Sequence, residues 1–357
     1  MRVDRVWLTD FRNYASCELS PAPGLTVVVG SNGEGKTNLL EAVGYLATLS
    51  SFRGAPADAL LRSGADVAIV RAQGERDARP LLIEAELRAV GRDRVLVNKQ
   101  PLKRTRDLLG ALRVTVFAPD DLVVVKGGPA ARRVFLDDLL VSLHAKWDAL
   151  QRDAERVVRQ RNTLLRQCGG RLSSETAFTL DVWDTKLAEL GEALAEAREA
   201  AVAALEPEAG KAYDQVAHTA ADVAVAYRRS WDGPLADALA AARNDEVRRG
   251  VTLVGPHRDD VALSIGGLPA RTHASQGEQR SLALALKLAG HRLVTDAAGE
   301  APVLLLDDVF SELDPDRSDA LLHHLPPGQA LLTTAGVIPA GATPDLVVRI
   351  AGGRVVE

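Results

Sequence analysis

The sequence predicts an α/β domain interrupted by a helical insertion, and three observations carry that expectation. Strand-like apolar runs crowd both ends of the chain, helix-like stripes fill its middle, and a glycine-rich turn joins an early strand to a helix. Val3, Val6 and Leu8 alternate with polar residues, and Leu25-Thr26-Val27-Val28-Val29 is a continuous run suited to a buried strand. Gly30 ends that run, and Leu39 to Leu49 reads as a helix. Val67 to Val70, Leu81 to Leu87 and Val95 to Val97 follow as short strands, punctuated by the arginines of a solvated sheet face. Val114-Thr115-Val116-Phe117 adds one more and stops at Pro119.

The middle of the chain changes period. Trp147, Leu150, Ala154, Val157, Leu164 and Leu165 mark one helical face. Gly169-Gly170 breaks it, and Ser173-Ser174 can cap a second helix. There Trp183, Leu187, Leu190, Leu194, Ala197 and Ala201 recur in heptad-like steps until Pro207. Two long helices and a short loop make an antiparallel hairpin. Strand signals return after Gly250, in Val303-Leu304-Leu305-Leu306, Ala330-Leu331-Leu332 and Leu346-Val347-Val348. The expected division is therefore residues 1–121 and 241–357 as two parts of one α/β head, with 122–240 as a helical lobe between them.

Bulk properties narrow the class. At 357 residues, 46% hydrophobic and 25% charged, the chain can bury a large core and is expected to form two to three domains. No run approaches ~20 apolar residues, so no membrane span is expected. Cys17 and Cys168 form no C-x-x-C pair, which excludes a zinc or disulfide framework and suits a reducing cytoplasm. The net charge of −5 does not advertise a nucleic-acid binder, but DNA contact needs only one basic face.

The most specific string is Gly30-Ser31-Asn32-Gly33-Glu34-Gly35-Lys36-Thr37, which fits the phosphate loop G-x-x-x-x-G-K-[ST]. Glycines let backbone N–H groups turn inward around phosphate oxygens, and the following helix start adds partial positive charge. Lys36 is positioned to reach the β- and γ-phosphates of ATP, and the Thr37 hydroxyl to ligate Mg²⁺. Leu304-Leu305-Leu306-Asp307-Asp308 reads as the second half of that site, on a strand beside the loop's own strand. Asp307 would meet Mg²⁺ directly or through water, and Asp308 would face the attacking water as general base or orienter. Ser275-Gln276-Gly277-Glu278 opens another helix, where a hydroxyl, a glycine and a helix N-terminus form a second anion-binding surface.

In chain order these strings, with Ser311-Glu312-Leu313-Asp314, resemble the Walker A, signature, Walker B and D-loop series of ABC ATPases. The 238 positions between Thr37 and Ser275 resemble the SMC-like branch, which inserts helices there. Phe11-Arg12-Asn13-Tyr14, Ser51-Phe52-Arg53, Pro129-Ala130-Ala131-Arg132-Arg133 and Gly255-Pro256-His257-Arg258-Asp259-Asp260 are similar to strings of the RecF family, and the likeness runs from end to end. It implies an ABC-type P-loop ATPase head with a mixed sheet and an inserted helical lobe. It places Arg12, Asn13 and Asn38 with the loop in the nucleotide site. It also places Ser275, Gln276, Gly277 and Glu278 of one subunit against the ATP of another, so that ATP drives a homodimer that clamps DNA. Slow hydrolysis, gapped or single-strand/double-strand junction DNA, and the mediator proteins RecR and RecO are further implications.

Several positions depart from the superfamily pattern. Asp308 stands where transporter relatives have glutamate, Thr333-Thr334 where they have a switch histidine, and Glu278 where glutamine is usual. No glutamine follows Val114–Phe117, which leaves Asp120 or Asp121 for the Q-loop role. Each departure points to slow turnover. The alternative reading is the ATP-binding subunit of an ABC transporter, which the long insertion disfavours.

Other residues carry weaker signals. His257 fits either a functional position or a structural turn, and His323-His324 read as surface residues. Between Gln151 and Arg171, six arginines face Asp153 and Glu155, a local charge of +4. A solvated helix face is one reading of it. A phosphate-tracking DNA surface through Arg152, Arg156 and Arg159 is the other.

Overall fold

Alternation at the N-terminus builds β1 (Arg2–Phe11), which turns at Arg12-Asn13 into antiparallel β2 (Tyr14–Leu19). β3 (Leu25–Val29) delivers the glycine loop to α1 (Lys36–Thr48). β4 (Val67–Arg76), β5 (Arg79–Arg88), β6 (Arg94–Val97) and the two-residue β7 (Gln100–Pro101) then extend an antiparallel sheet of order β2-β1-β4-β5-β6-β7. β8 (Val114–Phe117) begins a second sheet. After it come α2 (Val123–Lys126), α3 (Pro129–Leu143), α4 (Lys146–Gln167) and α5 (Ser174–Ala217). β9 (Val223–Arg228), α6 (Leu235–Arg249), β10 (Asp260–Ile265), β11 (Leu268–Pro269) and α7 (Ala270–His273) follow. The chain closes with α8 (Gln276–Ala298), β12 (Val303–Asp307), α9 (Pro315–His323), β13 (Ala330–Thr334), β14 (Leu346–Ala351) and β15 (Arg354–Val356).

This computed structural model describes residues 1–217 and 221–356, with the side chain of Glu312 outside the description. Its compact units are Met1–Leu122 with Lys211–Ala220 and Arg280–Glu357, and Val123–Gly210 with Ala221–Gln279.

In the first unit the second sheet runs β15-β14-β3-β13-β12-β8 and is parallel except for the β14–β15 hairpin. With the antiparallel first sheet, it gives the mixture of pairings expected. Leu39, Leu40, Ala42, Val43 and Leu46 of α1 are wholly buried, sharing one core with Leu8, Val70 and Ile83 of the first sheet and Leu305 and Leu331 of the second. A helix apolar on so many sides belongs between two layers. That enclosure fixes the helix start on which the loop depends.

The second unit corrects the sequence expectation in three places. Residues 122–240 are not purely helical, because Val223-Ala224-Val225-Ala226-Tyr227-Arg228 forms β9 and pairs with β10 in a small β11-β10-β9 sheet. Pro207 does not end the second long helix, since α5 runs for 44 residues straight through it. Proline inside a helix costs about 3 kcal/mol. Leu205 and Ala209 to either side of it are buried, and burial of a large apolar side chain offsets roughly 2 kcal/mol of that loss. Residues 241–279, read from the sequence as the opening of the C-terminal head part, lie in the second unit. Its core joins Val157 of α4, Leu187 and Ala195 of α5, Trp231, and Leu235 and Leu239 of α6.

Candidate nucleotide site

The loop 30–37 bridges β3 and α1, and two of its glycines, Gly30 and Gly35, are required by close neighbours. A Cβ on Gly30 would lie 2.4 Å from the Ile350 carbonyl oxygen on β14. Gly35 has φ +112° and would bring a Cβ within 2.6 Å of the Asn13 amide. The loop is held from both sides. Asn13 Nδ2 donates to the Glu34 carbonyl at 2.9 Å, Tyr14 Oη to the Gly35 carbonyl at 2.9 Å, and Gly353 N to the Glu34 carbonyl at 3.2 Å. Lys36 is buried and donates to the carbonyls of Gly30 at 2.7 Å and Ser31 at 2.9 Å. Its ammonium therefore already points into the concavity of its own loop.

Asp307 comes from the end of β12, and here the strand arrangement differs from expectation. β13 lies between β12 and the loop strand β3, so the acidic strand is one place removed. The carboxylate still reaches the loop: Thr37 Oγ1 donates to Asp307 Oδ1 at 2.8 Å. Thr333 Oγ1, on the intervening strand, donates to the same oxygen at 2.8 Å and accepts from Asp308 N at 3.0 Å. Asp308 itself sits in the left-handed region, at φ 49°. Burial raises the Asp307 carboxyl above its ordinary range, and the hydroxyls of Thr37 and Thr333 draw it partly back. A hydroxyl and a carboxylate side by side are hard-oxygen donors, of the kind Mg²⁺ takes in small number from protein alongside phosphate oxygens. Among the described residues no group of three or more His, Cys, Asp or Glu could hold a metal alone.

The strings flanking the loop brace it. Arg12 makes a bidentate pair with buried Glu41 of α1, both bonds 2.7 Å, and donates to the Ala59 carbonyl at 2.8 Å. Asn38 Nδ2 donates to Asn13 Oδ1 at 2.9 Å and its Oδ1 accepts from Arg53 at 3.1 Å. Arg12 is thus committed to the corner of β1 and α1, while Asn13 and Asn38 lie along the loop. The sequence gives no sign of Glu41 in this cluster, and it marks Thr333 only as standing where relatives have a switch histidine and Tyr14 only as part of a family-like string. Thr333 carries no charge, and Glu41 sits in a helix where a carboxylate ordinarily faces water.

The serine–glycine string lies in the second unit and is organised locally. Ser275 and Gln276 are exposed, and Gly277 follows in the first turn of α8. Ser275 N donates to Glu278 Oε2 at 2.7 Å and Glu278 N to Ser275 Oγ at 3.3 Å. This reciprocal capping box accounts for a glutamate at 278. In the first unit Asp314 caps α9 by accepting from Arg317 N at 2.9 Å. Asp121 pairs with Lys287 at 2.8 Å, whereas Asp120 is exposed.

The basic stretch of α4 divides in two. Arg161 is fully buried and tied to Asp184 and Glu246, both at 2.6 Å, and to Thr252 at 2.9 Å. Arg152, Arg156 and Arg159 are exposed but pair with Asp148, Asp153 and Glu155 of their own helix. The arginine string on α3 and the string ending in Asp260 hold each other: Arg132 grips Asp260 at 2.7 and 3.0 Å, and Arg133 donates to the Asp259 carbonyl at 2.6 Å. His257 is half-buried beside the Thr252 carbonyl, 3.3 Å away, which favours its reading as a structural turn.

Residues 2–330 match the family model of the RecF/RecN/SMC N-terminal domain. A DNA replication and repair protein RecF of Streptomyces avermitilis is 46% identical to this chain over 94% of each, and that of Frankia alni 45% identical over 99% and 98%. The chain belongs to the RecF family. Solved structures of the recombination mediator protein RecF in the RecFOR pathway, as RecF-ATPrS and RecF-ATP, are 28% identical. They cover 99% of this chain, and 97% and 96% of their own, with TM-scores of 0.92 and 0.91. An SMC head bound to the C-winged helix domain of ScpA is 16% identical, with a TM-score of 0.61, and shares the fold alone. This RecF-family fold is an ABC/SMC-type head with a long helical insertion. The match to DNA repair proteins along nearly the whole chain disfavours a transporter subunit. No described helix is long and apolar enough to cross a membrane.

Proposed function

We propose that this RecF-family chain is an ATP-dependent DNA clamp of replication and repair, with slow ATPase activity. The observation that carries the reading is the hydrogen bond between Thr37 and Asp307, which joins two halves of a nucleotide site 270 residues apart in sequence. Gly30 to Thr37 cradle the triphosphate through backbone N–H groups, with Lys36 turning from its loop carbonyls to the β- and γ-phosphates. Thr37 and Asp307 would hold Mg²⁺, which would supply charge neutralisation on the phosphates. Asp308 orients the attacking water. Its side chain is one methylene shorter than glutamate, and its neighbour Thr333 offers a neutral hydroxyl, both of which suit slow turnover. Asn13 and Asn38 fix the loop edge, and Arg12 keeps the start of α1 in place.

The site is completed in trans. Ser275, Gln276, Gly277 and Glu278 of one copy face the triphosphate of another, so ATP closes a homodimer around DNA and hydrolysis releases it. RecR and RecO are the expected mediator partners, in keeping with the RecFOR pathway named for the solved relatives, and the cytoplasm is the expected location. The test is sedimentation and duplex or gapped-DNA binding by the full chain, with and without Mg·ATP. The expected result is a nucleotide-dependent dimer that holds DNA more tightly. A chain that stays monomeric and binds DNA equally with and without ATP would overturn the reading.

A further inference from the structure

We propose that residues 88–106, on the free edge of the antiparallel sheet, form a contact surface for the phosphate backbone of duplex DNA. The assignment rests on the clamp reading and adds a location to it. These 19 residues hold Arg88, Arg92, Arg94, Lys99, Lys103, Arg104 and Arg106 against one acid, Asp93, in a chain whose net charge is −5. All seven cations are exposed. Arg88 pairs with Glu86, and Asp93 is taken up by the Arg88 backbone N–H at 3.0 Å. Arg92, Arg94, Lys99, Lys103 and Arg104 make no ion pair or side-chain hydrogen bond among the described residues.

The scaffold beneath these charges is fixed. β6 is laddered to β5, and Val95 within the segment and Leu108 just beyond it are 3% and 0% exposed. Asn98 and Lys99 form the β6–β7 turn at φ 50° and 66°, and Asn98 Oδ1 accepts from Leu82 N at 2.8 Å. At ~3.3 Å per residue, Arg94 stands roughly 10 Å along the strand from Val97, where the turn that carries Lys99 begins, a reach of more than one phosphate. Preset cations bind a polyanion without first ordering a loop. No side chain here is paired for reading base edges, so binding is independent of sequence.

A different role for charge on an edge strand is to block pairing with another sheet. Pro101 and the two-residue length of β7 already serve that end, and five unpaired cations exceed it. Arg152, Arg156 and Arg159 of α4 contrast with them, since each has an acid on its own helix.

The test compares R94Q/K99Q/R104Q with R152Q/R156Q/R159Q in the full chain with Mg·ATP, titrating a labelled duplex across roughly 50 to 200 mM salt. Three lost phosphate contacts make the log–log salt slope shallower by about 2.7 and weaken binding roughly tenfold or more for every sequence. The α4 variant keeps the parent slope, and both variants keep nucleotide binding, which reports intact folding. If the unaltered chain binds no duplex at any salt, the clamp reading fails. If it binds duplex and R94Q/K99Q/R104Q keeps the parent slope, this assignment alone fails. Nucleotide-independent self-association of that variant, with the slope unchanged, would assign the charges to edge protection and overturn the proposal.

Discussion

The two units put their polar residues to different uses. In the first, Lys36, Thr37, Asp307 and Thr333 converge from separate segments on a loop built to receive phosphate. In the second, the most conspicuous charges close on one another: Arg161 with Asp184 and Glu246, Arg132 with Asp260, Arg198 with Asp137 at 2.7 Å. Both units carry strings similar to the same family, yet one set is arranged for a ligand and the other for architecture. A family-like string marks a position that matters. Geometry tells which kind of position it is.

The comparison breaks most visibly at the buried pairs. Arg161→Met leaves Glu246, itself fully buried, without its cation, and breaking a pair of this kind costs about 3–5 kcal/mol. Urea unfolding should report that loss, while nucleotide affinity of the folded fraction stays unchanged. Lys36→Met should do the opposite. Losing a charge-assisted contact of roughly 3 kcal/mol weakens ATP about 100-fold and abolishes dimerisation, with thermal stability of the nucleotide-free chain preserved.

Acid separates neither unit from the other, because among the described residues each holds a histidine shielded from water, buried His291 in the first and half-buried His257 in the second. Burial lowers His257 in the second unit and His291 in the first to about 4, from an ordinary 6.5. Both are neutral in the fold and take up a proton on unfolding within that window. Stability therefore falls as pH drops from 6.5 towards 4, by up to about 1.4 kcal/mol per pH unit for each. His291→Gln should flatten part of that slope in pH-dependent unfolding. The smallest effect belongs to the helix start: Ser275→Ala removes one cap and costs about 1 kcal/mol, read as a minor shift in melting.

Much of the first unit was legible in the sequence because its signals are local. The glycine spacing, the apolar run before it and the Leu-Leu-Leu-Asp-Asp run each fall within a few residues. Where contacts are distant the sequence is mute. Nothing in Thr333 announces that its hydroxyl links Asp307 to Asp308, and the strand order that inserts β13 beside β3 is set by pairing across 300 residues. Arg161 looks like its exposed neighbours on α4 until the packing of three helices encloses it. β9 hid because alternating valine and alanine give a weak strand signal, and α5 outran Pro207 because burial to either side offsets a local helix breaker.

The central claim is that the triphosphate is shared between copies, with the Ser275 helix start of one opposed to the Lys36 loop of the other. Sedimentation velocity of Ser275→Arg with saturating Mg·ATP tests it most directly, beside a nucleotide-binding measurement on the same sample. The account predicts a chain that binds ATP as the parent does and stays monomeric. A nucleotide-loaded Ser275→Arg dimer would contradict it.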